Sequence, residues 1–270
     1  MSGDLRAGQY FGAISRKTDC AGAILSQVVH TSGRKLPRHQ HQLGYLSLLL
    51  AGTYVEQCGR QTLEYSPFNV GCHPAALDHR DEIGSGGAHF FCIEFREDLI
   101  RSARDFGSPE MSSPCLGDPH AAALAARLFC AHWRSSLSDL PAEALVYELL
   151  GCYMRARVPN EARPPAWLRQ AIELVRAESS RPLRFAEIAR RVGVHPVHLA
   201  RVYRKLHRES LGDLLQRIRI QHAMRLLHGE FASMAHVGVA AGFADQSHFI
   251  RVFRSHTGTT PGAFRRMLTT

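Results

Sequence analysis

The chain has 270 residues, 45% of them hydrophobic and 21% charged, enough for two ordinary domains with a core each. Its net charge of +9 is uneven: residues 1–158 hold 15 Lys and Arg against 16 Asp and Glu, whereas residues 159–270 hold 18 against 8. No apolar run approaches a membrane span, the opening MSGDLRAGQYFG lacks the apolar core of a secretory signal, and the seven cysteines form no CxxC pair, which argues against a disulfide framework and for a reduced, cytoplasmic protein with no membrane partner.

Residues 1–117 read as β-rich. Segments of strand length, Ala23 to His30, Tyr45 to Leu50, Thr53 to Gln57 and His89 to Phe95, are separated by turn signals at Ser32-Gly33, Ala51-Gly52, Cys58-Gly59, Ser66-Pro67 and Gly84-Ser85-Gly86-Gly87. Many short strands at near-regular spacing predict a small barrel or sandwich.

Within that part, Gly33, then His39-Gln40-His41, Tyr45 and Gly52, and later Pro74-Ala75-Ala76-Leu77-Asp78-His79, resemble the two motifs of the cupin barrels. Histidines two apart on a strand share a face, and the resemblance implies a third histidine joining them around a metal, here His39, His41 and His79. Tyr45 stands where the family has a glutamate ligand, and Ala76 replaces a motif glycine. Three neutral imidazoles can hold zinc or iron, but three histidines lining an organic-ligand pocket look the same in sequence. The missing carboxylate favours a small-molecule effector bound by His39, His41, Tyr45 and His79, with no certain cofactor; a divalent metal, if held, falls to His39, His41 and His79.

From Asp118 the texture becomes helical. Asp118-Pro119 opens an Ala-rich helix to about Trp133, and Asp139-Leu140-Pro141 a second to about Arg155 with Leu145, Leu149 and Cys152 on one side. Residues 118–157 thus form a helical region that either carries a dimer contact or packs on the barrel. Residues 158–165, VPNEARPP, read as a flexible linker.

Residues 166–270 carry the basic excess and a clean helical period. Leu168, Ala171, Ile172 and Val175; Phe185, Ile188, Ala189 and Val192; and Leu199, Val202, Tyr203 and Leu206 each follow i, i+3, i+4, i+7. A long helix from about Leu211 to His228 carries Leu211, Leu214, Leu215 and Ile218. A last stripe, Phe249, Val252, Phe253 and His256, follows a polar turn in which Asp245 or Ser247 can cap the helix, and Pro261 starts a short final helix after Thr257-Gly258. The first and last of these regions repeat: Gly193-Val194 lies over Gly242-Phe243 at an offset of 49, and His198-Leu199-Ala200-Arg201-Val202-Tyr203-Arg204 over His248-Phe249-Ile250-Arg251-Val252-Phe253-Arg254 at 50. Two helix-turn-helix units, 185–206 and 234–256, are therefore expected on either side of one connecting helix.

The stretches IARRVGVHPVHLARVYRKLHRESLGDLLQRIRIQHAMRLL and GFADQSHFIRVFRSHTGTTPGAFR resemble the DNA-binding domain of the AraC-type family of bacterial transcription regulators. Gly238 stands where that family usually has alanine, and Arg208 where the first unit usually has glycine. The resemblance implies that Val197, Ala200 and Arg201, then Gln246, Ser247, Ile250 and Arg251, reach base edges; His198 and His248 share those outward faces. Arg can fork onto guanine, Gln onto adenine, and Val, Ala or Ile can touch a thymine methyl, while Arg204, Lys205 and Arg254 suit phosphates.

The expected fold class is α+β multidomain: a cupin-like β-barrel, a helical linker and an all-α tandem helix-turn-helix domain. The expected function is an effector-responsive transcription regulator, not an enzyme, acting on double-stranded DNA as a homodimer and contacting RNA polymerase if it activates. The rival is a metal-dependent cupin enzyme or metal sensor fused to a DNA-binding domain.

Overall fold

The computed structural model describes residues 3–104, 115–116, 119–134, 140–155, 164–207, 209–227 and 233–268. The chain divides into two compact units, Met1–Pro159 with Arg254–Thr270, and Asn160–Phe253. The caps expected at Asp118 and Asp139, most of the 158–165 linker, and Arg208 lie outside the described residues.

The first unit opens with β1 (Gly3–Leu5), β2 (Ala13–Cys20), β3 (Ala23–His30), β4 (Arg34–Lys35), β5 (His39–His41), β6 (Tyr45–Cys58), β7 (Gln61–Tyr65), β8 (Val70–His73) and β9 (Arg80–Phe95). Helix α1 (Glu97–Arg104), β10 (Cys115–Leu116), α2 (Pro119–Trp133) and α3 (Leu140–Arg155) follow. The main sheet runs β10-β8-β6-β9-β3-β2, with β4 also on β9 and β7 also on β6; β1 pairs with β5 in a separate parallel ribbon. Among the described residues this ladder is an open path, whose hydrogen bonds do not close the barrel that the turn spacing suggested.

Two expected turns are bends inside long strands. Ala51-Gly52 lies within β6 and Gly84-Ser85-Gly86-Gly87 within β9, and their pairing shifts register between Leu49 and Ala51 and between Gly52 and Tyr54. Gly52 has φ +88° and Gly87 φ +78°, and a Cβ on Gly52 would lie 2.1 Å from the Gly87 carbonyl oxygen. Glycine at a bulge lets a strand bend without ending. The inner halves of both strands pair with apolar neighbours: Leu46, Leu48, Leu49, Phe91, Ile93 and Phe95 are buried. Helices α2 and α3 pack on each other, α2 against β6 and β8 and α3 against β2, and Leu145, Leu149 and Cys152 are buried as their spacing implied.

The second unit holds α4 (Ala166–Glu178), α5 (Phe185–Arg191), α6 (Pro196–His207), α7 (Leu211–Leu227), α8 (Met234–Ala240) and the greater part of α9 (Gln246–Thr257); α10 (Pro261–Leu268) groups with the first unit. Leu168, Ala171, Val175, Ile188, Ala189, Leu199, Tyr203, Leu211, Leu214, Leu215 and Ile218 form one buried cluster, with Ile172, Phe185, Val192 and Val202 partly buried against it. Leu206, assigned to the third stripe, is 43% exposed, because the stripe turns away from the core at the end of α6. The α7 stripe continues through Ile220, Ala223, Met224 and Leu227.

Candidate nucleic-acid interface and sensor cavity

The two helix-turn-helix units are built by the same local device. After α5, Val194 N–H donates to Ala189 O (2.9 Å) and Gly193 N–H to Arg190 O (3.2 Å); after α8, Phe243 N–H donates to Gly238 O (3.0 Å) and Gly242 N–H to Val239 O (2.9 Å). Both are Schellman closures, which need a left-handed residue after the helix; Gly193 has φ +72° and Gly242 φ +95°. Ser233 Oγ accepts from His236 N–H to cap α8, and Asp245 Oδ1 accepts from His248 N–H (2.7 Å) to cap α9. Asp245, not Ser247, is therefore the cap. Inside the second unit Val237, Phe249, Val252 and Phe253 are buried.

Burial of those faces leaves the expected reading residues outside. Val197 is 68% exposed, and His198, Ala200, Arg201, Arg204 and Lys205 on α6 are exposed, as are Gln246, Ser247, Arg251 and Arg254 on α9. His248 and Ile250 are half-buried: the His248 ring stands edge-on to Phe243 (5.5 Å), so part of its surface is committed to packing. His198 lies 5.4 Å from the Trp167 ring, and Arg201 Nη2 is 3.3 Å from His198 Nδ1.

Not all of the arginine excess faces outward. Arg217 Nη2 donates to Glu209 Oε1 (2.7 Å), which also accepts from Tyr203 OH (2.5 Å), tying the end of α6 to α7. Arg219 donates to Ser179 O (2.8 Å) and Arg181 O (3.0 Å), satisfying carbonyls beyond α4. Helical period alone does not separate these internal cations from phosphate binders.

In the first unit, the backbone brings the three expected histidines together. His39 and His79 exchange N–H···O bonds in both directions, 2.9 Å each, so they oppose each other directly and share a face with His41. Their ring nitrogens can be chosen within 4.8 Å of one another, and all three are buried. Ala76, at the position of the motif glycine, keeps φ +56°; its N–H donates to His41 O (2.8 Å), which holds a left-handed turn that alanine adopts at a cost.

Three further buried residues join the cluster without having been expected: Asp81, Glu56 and His73. Asp81 lies opposite Glu56 across β6 and β9. His73 Nδ1 is 3.1 Å from Glu56 Oε1, Ser47 Oγ is 2.8 Å from His73 Nε2, and Tyr65 OH donates to Glu56 Oε2 (2.8 Å). Tyr45, expected as a ligand-binding residue, stacks on His73 at 4.2 Å and lies 4.7 Å from His41. The His-x-Asp spacing from His79 to Asp81 was the available sequence signal for one face; Glu56 and His73 had none.

Burial pushes the His41 pKa well below the usual imidazole range and lowers those of His39 and His79, so the three rings are neutral near pH 7. Burial, aided by the Glu56 charge, raises Asp81 to about 7. Burial alone would raise Glu56 too, but the neighbouring His73 holds it below its ordinary value. Of these groups His39, His41 and Asp81 line a cavity of about 50 Å³, together with Tyr10, Phe11 and Tyr45 among others.

Among known proteins, residues 188–267 match the family model described as a helix-turn-helix domain. The chain is 34% identical over 127 residues to the HTH-type transcriptional regulator GlxA of Rhizobium meliloti (strain 1021), covering 42% of this chain and 39% of the relative. It is 25% identical over 114 residues to the bifunctional transcriptional activator/DNA repair enzyme AdaA of Bacillus subtilis (strain 168), covering 42% of this chain and 54% of that protein. The chain thus spans about two fifths to a half of the length of these relatives. A solved transcriptional regulator with an AraC-type DNA-binding domain, from Chromobacterium violaceum, aligns with 29% identity over 37% of this chain and 89% of its own, at a TM-score of 0.35. ToxT from Vibrio cholerae aligns over 92% of this chain and 98% of its own with 14% identity and a TM-score of 0.40. Among the described residues no helix is long and apolar enough to cross a membrane. With its repeated Schellman turns and matched residues 188–267, the C-terminal part of the chain is a helix-turn-helix domain similar to those of transcriptional regulators.

Proposed function

We propose that the whole chain is a sequence-specific DNA-binding transcription regulator, and that its N-terminal unit is a cupin-like, incompletely closed barrel that senses a small ligand. The observation that carries the reading is the duplicated helix–glycine–helix, in which α6 and α9 each turn an exposed polar face away from a buried aromatic or aliphatic stripe. Arg201 and Arg251 fork onto guanines, Gln246 onto adenine, and Val197, Ala200 and Ile250 meet thymine methyls. Ser247, His198 and His248 border the same contacts, while Arg204, Lys205 and Arg254 hold phosphates and fix register. Two recognition helices on one unit suit successive major grooves about 34 Å apart, so a single chain reads an asymmetric site. The regulator acts in the cytoplasm as a homodimer, and contacts RNA polymerase where it activates. Its relatives' names, a transcriptional regulator and a transcriptional activator among them, support regulation over catalysis in the barrel. The effector meets His39, His41 and Tyr45 at the cavity wall, with His79 beside His39 behind it.

The test is selection of duplexes from a random pool by the full chain, followed by footprinting and shift titration on the selected site. Arg251→Ala is expected to lose about 1–3 kcal/mol, roughly 5–150-fold, and to relax preference at one base pair. Arg254→Ala is expected to weaken all sequences alike and to flatten the salt dependence by about one unit of slope. An unenriched pool, or an Arg251→Ala variant with unchanged affinity and base preference, defeats the assignment.

A further inference from the structure

We infer that the effector cavity of the N-terminal unit takes a small organic cation, an ammonium or amidinium head group paired with Asp81 between aromatic walls. This rests on the sensor reading of that unit and gives its signal a chemical class.

Charge sets the class. Asp81 is buried and lines the cavity, and Tyr54 OH donates to its Oδ1 (3.0 Å). Its Oδ2 stands 3.6 Å from His39 Nε2 and 3.9 Å from His79 Nε2, neither within hydrogen-bond reach. Among the described residues no lysine or arginine lines the cavity. A buried carboxylate without a counter-ion is costly, and a ligand that carries the missing positive charge removes that cost. An anionic effector would instead meet a charge of its own sign, with Glu56 directly across the strand pair from Asp81.

The walls favour the same sign. Tyr10, Phe11, Tyr45, Tyr54 and Phe90 line the cavity, and Tyr54 stands edge-on to Phe90 with ring centres 5.0 Å apart. The electron-rich faces of aromatic rings attract an ammonium or amidinium and repel a carboxylate. His30 and His41, also in the lining, each have a buried Nδ1 with no hydrogen-bond partner. In the Nε2–H tautomer that nitrogen accepts an N–H from a cationic head group, which relieves the cost of an unmet buried polar atom.

Size narrows the choice to a compact head. A cavity of about 50 Å³ holds one or two waters at roughly 30 Å³ each, or a group of about four heavy atoms. Leu5 and His41 also border a wider cleft of about 530 Å³, with Asp4, Arg6 and Gln40. A longer ligand has room there for the part that follows its head.

The experiment uses three probes of one shape and different charge: acetamidinium, neutral acetamide and acetate. Each is titrated into the full chain, with a chelator present and ionic strength matched, and followed by calorimetry and by melting temperature. Acetamidinium is expected to bind one equivalent with a dissociation constant of about 0.1–10 mM, the range open to a four-atom ligand, and to raise the melting temperature. Acetamide is expected to bind at least about tenfold more weakly, and acetate not at all. Asp81→Asn keeps an acceptor for Tyr54 but removes the charge; it is expected to weaken acetamidinium about 10–100-fold and to leave acetamide unchanged. Glu82→Gln, at an exposed neighbouring carboxylate, should alter neither. Circular dichroism shows whether the variants fold, and the ranking of the three probes on the wild type needs no variant. Acetamide or acetate binding as tightly as acetamidinium, or no acetamidinium binding up to about 50 mM, overturns the cationic class. Equal acetamidinium affinity in wild type and folded Asp81→Asn overturns the role of Asp81. Shift titrations on the selected duplex separate the class from the sensor reading beneath it. If acetamide or acetate binds best and alters DNA affinity, the sensor stands and the cationic class falls. If acetamidinium binds through Asp81 and DNA affinity does not move, the cation site stands and the sensor reading falls.

Discussion

Gly238→Ala is expected to destabilise the chain, against the ordinary rule for a helix interior. Replacing glycine by alanine inside a helix normally gains about 1 kcal/mol of propensity. Here the added Cβ would stand 3.1 Å from both Cβ and Cδ1 of Phe249 and 3.2 Å from its Cγ. Phe249 is fully buried, so its ring must give way inside a packed core; overpacking of this kind costs about 1–3 kcal/mol. The net expectation is a loss of about 0–2 kcal/mol. The first helix-turn-helix solves the same contact with Ala189 and Leu199 at the matching positions, a larger residue facing a smaller one. Phe249→Leu should therefore relieve Gly238→Ala, with a favourable coupling of about 1–2 kcal/mol in the double-mutant cycle. Urea unfolding in a Trp133→Phe background leaves Trp167 as the sole tryptophan of the two in the chain, reporting on the Asn160–Phe253 unit. If Gly238→Ala stabilises by about 1 kcal/mol and the two changes simply add, the close approach is not what requires glycine.

The cap and one buried base give two further tests. Asp245→Ala removes the acceptor for His248 N–H and should cost about 1 kcal/mol by the same unfolding assay, with Asp245→Asn costing much less; equal stability of both variants with wild type would dismiss the cap. His132 is fully buried with neither ring nitrogen hydrogen-bonded, and burial, aided by Arg16, lowers its pKa to about 4. Since the unfolded value is about 6.5, stability from the neutral ring is complete above that pH. It falls away as the pH drops from about 6.5 through about 4, by up to roughly 3 kcal/mol. His132→Phe should flatten that part of the stability profile, and parallel profiles for the two proteins between pH 7 and 4.5 would show that His132 does not titrate on unfolding.

The helical half was legible because its signals are local. Stripe period, the cap at Asp245, and glycines at the two Schellman turns are each set within one or two helical turns of chain, and the exposed faces of α6 and α9 follow once the buried faces are known. The sheet half was legible only in pieces. Strand β3 was read end to end, but β6 and β9 were each divided at glycines that bend a strand in this protein and would break one in another. Periodicity could place Leu206 on a stripe but could not say that the core ends before it. Arg217 and Arg219 counted as basic surface until their partners, Glu209 and the carbonyls after α4, were in view.

By itself, then, the sequence determined the tandem helix-turn-helix, its basic charge and the His39, His41 and His79 set, because short-range spacing specifies helix faces and strand alternation. Only the tertiary structure decided that Asp81 stands beside His39 and His79 while Tyr45 lies on His73, that Glu56 is already engaged, and that Gly238 lies against Phe249. Those outcomes depend on which strands pair and in what register, and on how closely two helices approach. Both are settled by burial of the whole core, and no local pattern records them.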